Sequence, residues 1–170
     1  MADVIRSKIE LANIAGIPVG QLAVTGEIIQ KIITYIGQRN AKLEGEALKT
    51  FSNLYTEFIE LNKNNYAAIE EVLSRAYEKI DQRSITYISK MLIEIGKLNI
   101  QEKNKVDIYK YVMDKRHEIE KLEKEKNAEL AKWVAIFGGS IALAATIFLG
   151  YKYARPKTIG DFLDKLFYGG

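Results

Sequence analysis

The sequence predicts an all-α chain: an antiparallel bundle of about three long helices continuing into one C-terminal transmembrane helix, then a short amphipathic helix. Three observations carry that expectation. Apolar residues recur at helical spacing through most of residues 27–131. No alternating strand pattern competes with them. Trp133 to Tyr151, WVAIFGGSIALAATIFLGY, runs nineteen residues without a charge. At about 1.5 Å per helical residue that stretch reaches roughly 28 Å, close to the ~30 Å hydrocarbon core of a bilayer. Four parts follow: 1–26, a short helix plus an uncharged segment; 27–131, the bundle; 132–152, the span; and 153–170, a basic juxtamembrane and interfacial tail.

Residues 2–15 suit a short amphipathic helix, with Val4, Ile5, Ile9 and Leu11 or Ala12 near one face. Leu11 to Gly26 then runs sixteen residues without a charge, interrupted by Gly16, Pro18 and Gly20. It is too short for a normal span. Asp3 and Glu10 argue against a secretory signal. A packed turn between helices is the plain reading, and an exposed apolar contact segment the sharper one.

From Glu27 the stripe is Ile28, Ile29, Ile32, Ile33 and Ile36. It loosens at GQRNAKLEGE and resumes with Leu48, Phe51, Leu54 or Tyr55, and Phe58. Asn62, Asn64 and Asn65 mark a turn, because Asn caps helices and tolerates left-handed backbone. The next stripe is Ile69, Val72 or Leu73, Ala76, Ile80, Ile88, Met91 or Leu92, and Ile95, ending at Gly96 and Asn99. The last long helix starts near Gln101, with Ile108, Val112, Ile119 and Leu122 at coiled-coil spacing and Lys115 and Lys126 in the intervening seam. Mixed charges with pairs such as Glu120–Lys124 follow, and no Gly or Pro separates them from Trp133. One continuous helix from about 101 to 152 is therefore expected, solvated first and membrane-embedded afterwards. Matched lengths of 26–62, 65–98 and 101–132 predict a three-helix rod on the order of 50 Å long.

Within the span, Trp133, Phe137, Ile141, Phe148 and Tyr151 are the candidate membrane anchors. Ala135, Gly139, Ala142, Thr146 and Gly150 line one narrow small-residue face, widened by Gly138 and Ser140, that suits helix packing in lipid. Lys132, Lys152, Arg155 and Lys157 are placed to meet headgroups or phosphates. The competing reading of the stretch is a buried core helix, which seldom lacks charge on every face. Pro156 ends the helix. Thr158 or Asp161 then caps a tail helix with Phe162, Leu163, Leu166 and Phe167 on one side, suited to lie flat at an interface. Gly169 and Gly170 read as a frayed end.

Charge and composition narrow the chemistry. The chain has no Cys and one His, His117, so a thiolate, a histidine metal cluster and a second-histidine triad are excluded. No phosphate loop, nucleophile elbow or zinc-binding helix motif is present. The acid pairs Glu44/Glu46, Glu57/Glu60 and Glu70/Glu71 fall on solvated helix faces. The formal charge of +3 lies wholly at the span and tail, since residues 1–131 balance twenty cations against twenty anions. That leaves no basic face for sequence-specific nucleic-acid recognition. The expectation is a non-enzymatic, cofactor-free membrane protein, single-pass near its C-terminus, in a cell membrane or virion envelope. Its partners would be the bilayer and further copies of itself, with non-specific anionic lipid or nucleic-acid contact by the tail. Coat, scaffold or envelope subunit is the leading role, by loose analogy with small helical virion proteins. A holin- or fusogen-like membrane-active protein, or a tail-anchored tether, is the rival.

Overall fold

A computed structural model describes residues 3–97, 100, 108–125 and 130–168. Among the described residues the chain is all-α apart from one pair of two-residue strands, and it divides into two compact units, Met1–Ile88 and Ser89–Gly170. The predicted helix start near Gln101, the Asn99 stop, the Lys126 seam position and the Gly169–Gly170 end lie outside the described residues.

The first unit opens with β1 (Val4–Ile5), which pairs in parallel with β2 (Lys42–Leu43). Val4 and Ile5 thus belong to a strand and not to the predicted first helix. That helix, α1 (Lys8–Ala15), is capped by the Ser7 hydroxyl, which accepts from the Glu10 N–H. It buries Leu11, Ala12 and Ala15, whereas Ile9 is 61% exposed and off the predicted face. Gly16 stops α1 at φ 74°: its N–H bonds the Asn13 carbonyl, and the Ile17 N–H reaches back to Ala12. That backbone geometry favours glycine. The next residues form only a 3-10 turn, Val19–Gln21, and Pro18, Val19, Gly20 and Ala23 are exposed. The uncharged segment is therefore divided: its first five residues are buried or half-buried in α1 apart from Asn13, and residues 17–25 form a largely exposed connection and not a packed turn.

Helix α2 (Gly26–Arg39) buries all five isoleucines of its stripe, as its spacing predicts. Thr25 caps it, and Asn40 ends it in the left-handed region at φ 51°. This is where the long first helix was expected merely to loosen. The chain instead makes β2 and restarts as α3 (Gly45–Leu61), which buries Phe51, Leu54, Tyr55 and Phe58 but leaves Leu48 exposed. Asn65 caps α4 (Tyr66–Tyr77) by accepting from the Ala68 N–H, so the asparagine turn forms where the sequence placed it. Helix α2 packs on α4, and both α2 and α3 pack on α1. The α2–α4 approach is close: a Cβ on Gly26 would meet Val72 Cγ2 at 2.6 Å.

The second long helix is also two. Helix α4 ends at Tyr77, and Asp81 starts α5 (Gln82–Gly96) by accepting from the Ser84 N–H at 2.8 Å. A cap of this kind commits the chain to a new helix axis. The unit boundary falls inside α5.

The second unit contains residues 89–96 of α5, then α6 (Ile108–Asp114), α7 (Arg116–Glu125), α8 (Leu130–Ile136), α9 (Ile141–Ala154) and α10 (Ile159–Phe167). Ile108, Val112, Ile119 and Leu122 are buried, as the coiled-coil spacing predicts. The continuous helix from 101 to 152 does not form. It is interrupted at Lys115 and again between Ile136 and Ile141. The long first and second helices expected are each replaced by two shorter ones, the longest of them α3 at seventeen residues.

Candidate functional site

The uncharged stretch 133–151 is the feature with the most to explain, and it folds in two. Helix α8 ends in a built stop. Gly138 stands at φ 66° and Gly139 at φ 92°; the Gly139 N–H donates to the Val134 carbonyl at 3.0 Å and the Gly138 N–H to Ala135 at 3.4 Å. Two nested bonds of this spacing around a left-handed glycine close a helix C-terminus. Ser140 then leads into α9, and α8 and α9 pack as an antiparallel hairpin with Trp133 beside Phe148, ring centroids 5.4 Å apart. Tyr111 of α6 braces the bend: its hydroxyl donates to the Ile136 carbonyl at 3.4 Å, and its ring sits 6.0 Å from Phe137. Burial pushes the Tyr111 phenol above its ordinary value, and the charge of Glu118 adds to the shift.

Among the described residues, no helix is long and apolar enough to cross a membrane. The stretch expected to form one continuous helix is here two, α8 and α9. The physical reason is local. Adjacent glycines, read from sequence as part of a small face, supply the positive φ values that a helix stop needs.

The hairpin is also covered. Ala142 to Ile147, Leu149 and Gly150 of α9 are buried. Residues 89–96 of α5 lie against α9 at near-backbone distance: a Cβ on Gly96 would stand 3.0 Å from the Leu143 Cα and N. The Ser140 hydroxyl donates to the Gly96 carbonyl at 3.3 Å. Gly150, one turn from the end of α9, has Ser89 and Phe162 crowded over it. Of the predicted helix-packing face, Ala142, Thr146 and Gly150 are therefore buried within the unit, whereas Ala135 and Gly139 are exposed. Of the anchor set, Trp133 and Phe137 are buried, and Ile141, Phe148 and Tyr151 are half-buried.

Helix α10 seals the other side. Thr158 caps it, accepting from the Asp161 N–H at 3.1 Å, as predicted. Its Phe162, Leu163 and Leu166 are fully buried and Phe167 half-buried, against α7 and α9. In this conformation the tail's apolar face meets protein and not a lipid surface. Two contacts latch it. The Arg116 guanidinium, whose Nε donates to Glu120 at 3.2 Å, lies directly over Gly160, so a Cβ there would push the guanidinium aside. The Tyr109 hydroxyl donates to that of Tyr168. This hydrogen bond, with burial and the charges of Tyr168 and Asp164 beside it, pushes Tyr109 up to about 12 against the opposing pull of Arg116.

The cations flank the hairpin. Lys152, Arg155 and Lys157 are exposed and Lys132 is half-buried. Arg155 caps α9 at φ 52°, and Pro156 bars the helix from continuing. Because α8 and α9 are antiparallel, Lys132 and Lys152 both stand at the open end of the hairpin, away from the glycine bend.

Sequence reasoning missed Gly96 and Ser89 as partners of this stretch, and Arg116 and Tyr109 as partners of α10. Gly96 was legible only as a helix stop; nothing in the sequence tells which helix lies against it. One further feature is a solvent-open cleft of about 480 Å³ in the first unit, lined by Asp3, Glu10, Asn13, Tyr35 and Arg39 among others. Its charges are exposed, with Arg39 and Asp3 4.0 Å apart, and it brings no nucleophile to a base. Among the described residues there is no group of three or more His, Asp or Glu placed to hold a metal. No known protein family matches the chain, and no curated protein or solved structure is similar to it.

Proposed function

We propose that this is a non-enzymatic, membrane-associating helical protein that builds an assembly, as a coat, scaffold or envelope subunit does. The single observation behind the reading is the uncharged run 133–151, bounded by Lys132 and Trp133 at one end and Tyr151, Lys152, Tyr153 and Arg155 at the other. Aromatic and cationic residues of that kind suit the two headgroup layers. The membrane, in a cell or a virion envelope, is the first partner, and further copies of the chain are the second. The lack of any Cys and the single exposed His keep the proposal outside catalysis.

The full chain, mixed with vesicles of phosphatidylcholine and phosphatidylglycerol, is expected to float with the lipid and to resist extraction by alkaline carbonate. Electron microscopy of the floated fraction is expected to show regular arrays. Chains that stay at the bottom of the gradient would remove the membrane from the proposal. A second reading, a membrane-active protein, is favoured by one observation: the apolar stretch is sheltered inside a folded unit and not displayed. Dye released from the same vesicles without arrays would select it.

A further inference from the structure

We infer that Gly138 and Gly139 are a hinge through which residues 133–151 convert from the buried hairpin to one membrane-spanning helix. The inference rests on the membrane reading above. Four observations carry it. First, the stretch is uncharged throughout, so nothing in it opposes transfer to hydrocarbon as a helix. Second, the bend is made by backbone conformation at two glycines and not by a proline, so a continuous hydrogen-bonded helix is open to the same residues.

Third, Trp133 is 1% exposed, and its indole N–H has no acceptor among the described residues. A buried donor without a partner is unfavourable in the folded unit. At the edge of a bilayer the same ring keeps its apolar body in lipid while the N–H reaches headgroup oxygens and water. Fourth, the cations change places sensibly. Lys132 and Lys152 share the open end of the hairpin, but on a straight helix twenty residues separate them by roughly 30 Å, one at each face of a bilayer.

Straightening requires α9 to leave its cover. Gly96 withdraws from Leu143, and α10 withdraws Phe162 from Gly150. The freed α10 carries its buried Phe162, Leu163 and Leu166 face out beside Lys152, Arg155 and Lys157, a composition suited to an anionic surface. A bilayer that accepts only the straight form draws the equilibrium toward it.

Because the chain has no Cys, single-cysteine variants test this cleanly. Ala131 and Lys165 are both exposed in the folded unit and flank the stretch, so Ala131→Cys and Lys165→Cys leave the core and the cations beside the stretch intact. Each full-length variant is added to preformed phosphatidylcholine–phosphatidylglycerol vesicles, floated, and exposed to a membrane-impermeant maleimide before and after detergent. The expected result is that one of the two sites reacts at once and the other only after lysis. Floated chains whose two sites both react at once would overturn the hinge while leaving membrane association standing. Chains that fail to float would overturn the membrane reading and the hinge with it. A second measurement reads the joint itself. The double variant Gly138→Ala, Gly139→Ala disfavours the bent backbone and favours the helix, so its insertion constant should rise on the order of a thousandfold. Insertion no better than that of the parent chain would place the joint elsewhere.

Discussion

The close approach of α5 to α9 can be tested by adding one methyl group. A Cβ on Gly96 would stand 3.0 Å from both the Leu143 N and Cα and 3.1 Å from its Cβ. Two of those three atoms are backbone, so no rotamer change relieves the contact. The helices must separate by a few tenths of an ångström, which also stretches the 3.3 Å hydrogen bond from Ser140 to the Gly96 carbonyl. Overpacking of this kind costs about 1–3 kcal/mol. The usual helix-propensity gain of about 1 kcal/mol for Gly→Ala is diminished because Gly96 is the last residue of α5. A net loss of about 1–2 kcal/mol remains. For a unit of roughly eighty residues this corresponds to a melting temperature lower by about 4–15 °C. Trp133 is the one tryptophan in the chain and is buried in the same unit, so its emission during heating reports that unit directly. Gly96→Ala should melt early by this probe, and Gly96→Val earlier still. An unchanged or raised melting temperature for both would show that the backbones do not meet at this point.

Three other expectations concern separate features. Tyr109 should be among the last of the ten tyrosines to ionise, at about 12, in an absorbance titration, and Tyr168→Phe should bring it down by removing the hydrogen bond. A phenol raised in the fold contributes stability that is whole below its unfolded value near 10 and is lost as pH climbs through 12, so α10 should detach in strong alkali. Asp81 has the opposite sign. The Ser84 N–H, chiefly, holds its carboxyl below the usual 3.8, against a smaller opposing effect of burial and with help from the Ser84 hydroxyl and Arg83. Its contribution should persist above 3.8 and disappear as the solution is acidified below that, and Asp81→Asn should flatten the acid limb of a denaturation profile. Gly16→Ala adds a methyl group to open space, so only its φ of 74° matters; urea unfolding should show a loss of about 1 kcal/mol, and no loss would deny the left-handed stop.

Helix faces were legible because burial follows period. The five isoleucines of α2, the Ile69–Ala76 stripe of α4 and the Phe162–Leu166 face of α10 are all inside. Caps were legible at Asn65 and Thr158, whose side chains accept a bond three residues on. Helix continuity was not. Asn40 and Asp81 break long apolar patterns at single polar residues of weak helix propensity, a signal too small by itself to separate a break from a continuing helix. Gly138–Gly139 carried a signal with two meanings, a packing face in lipid or a stop in a folded unit. Length and absence of charge favoured the first, yet the stretch is buried by α5 and α10, whose partner faces no periodicity identifies. For the same reason, whether the apolar side of α10 is sheltered or displayed was not readable from its own amphipathicity.

The pairing of β1 with β2 bears on the order of assembly during synthesis. Val4 faces Lys42 and Ile5 faces Leu43, so the amino-terminal arm is held by residues made thirty-eight positions later. Its bonds, from the Lys42 N–H to Asp3 at 2.8 Å and from the Glu44 N–H to Ile5 at 2.9 Å, have no local precursor. Closing so long a loop costs entropy that one short strand pair does not recover unless α2 already holds the ends together. The arm should therefore dock late and, in the finished protein, be an early region to lift away. In native-state hydrogen exchange the Lys42 and Glu44 amides should then trade their protons well before the Ile32 and Ile33 amides of α2. Equal protection would instead make the arm part of the founding nucleus, and a nascent chain would have to wait for residue 43 before any of this unit could set.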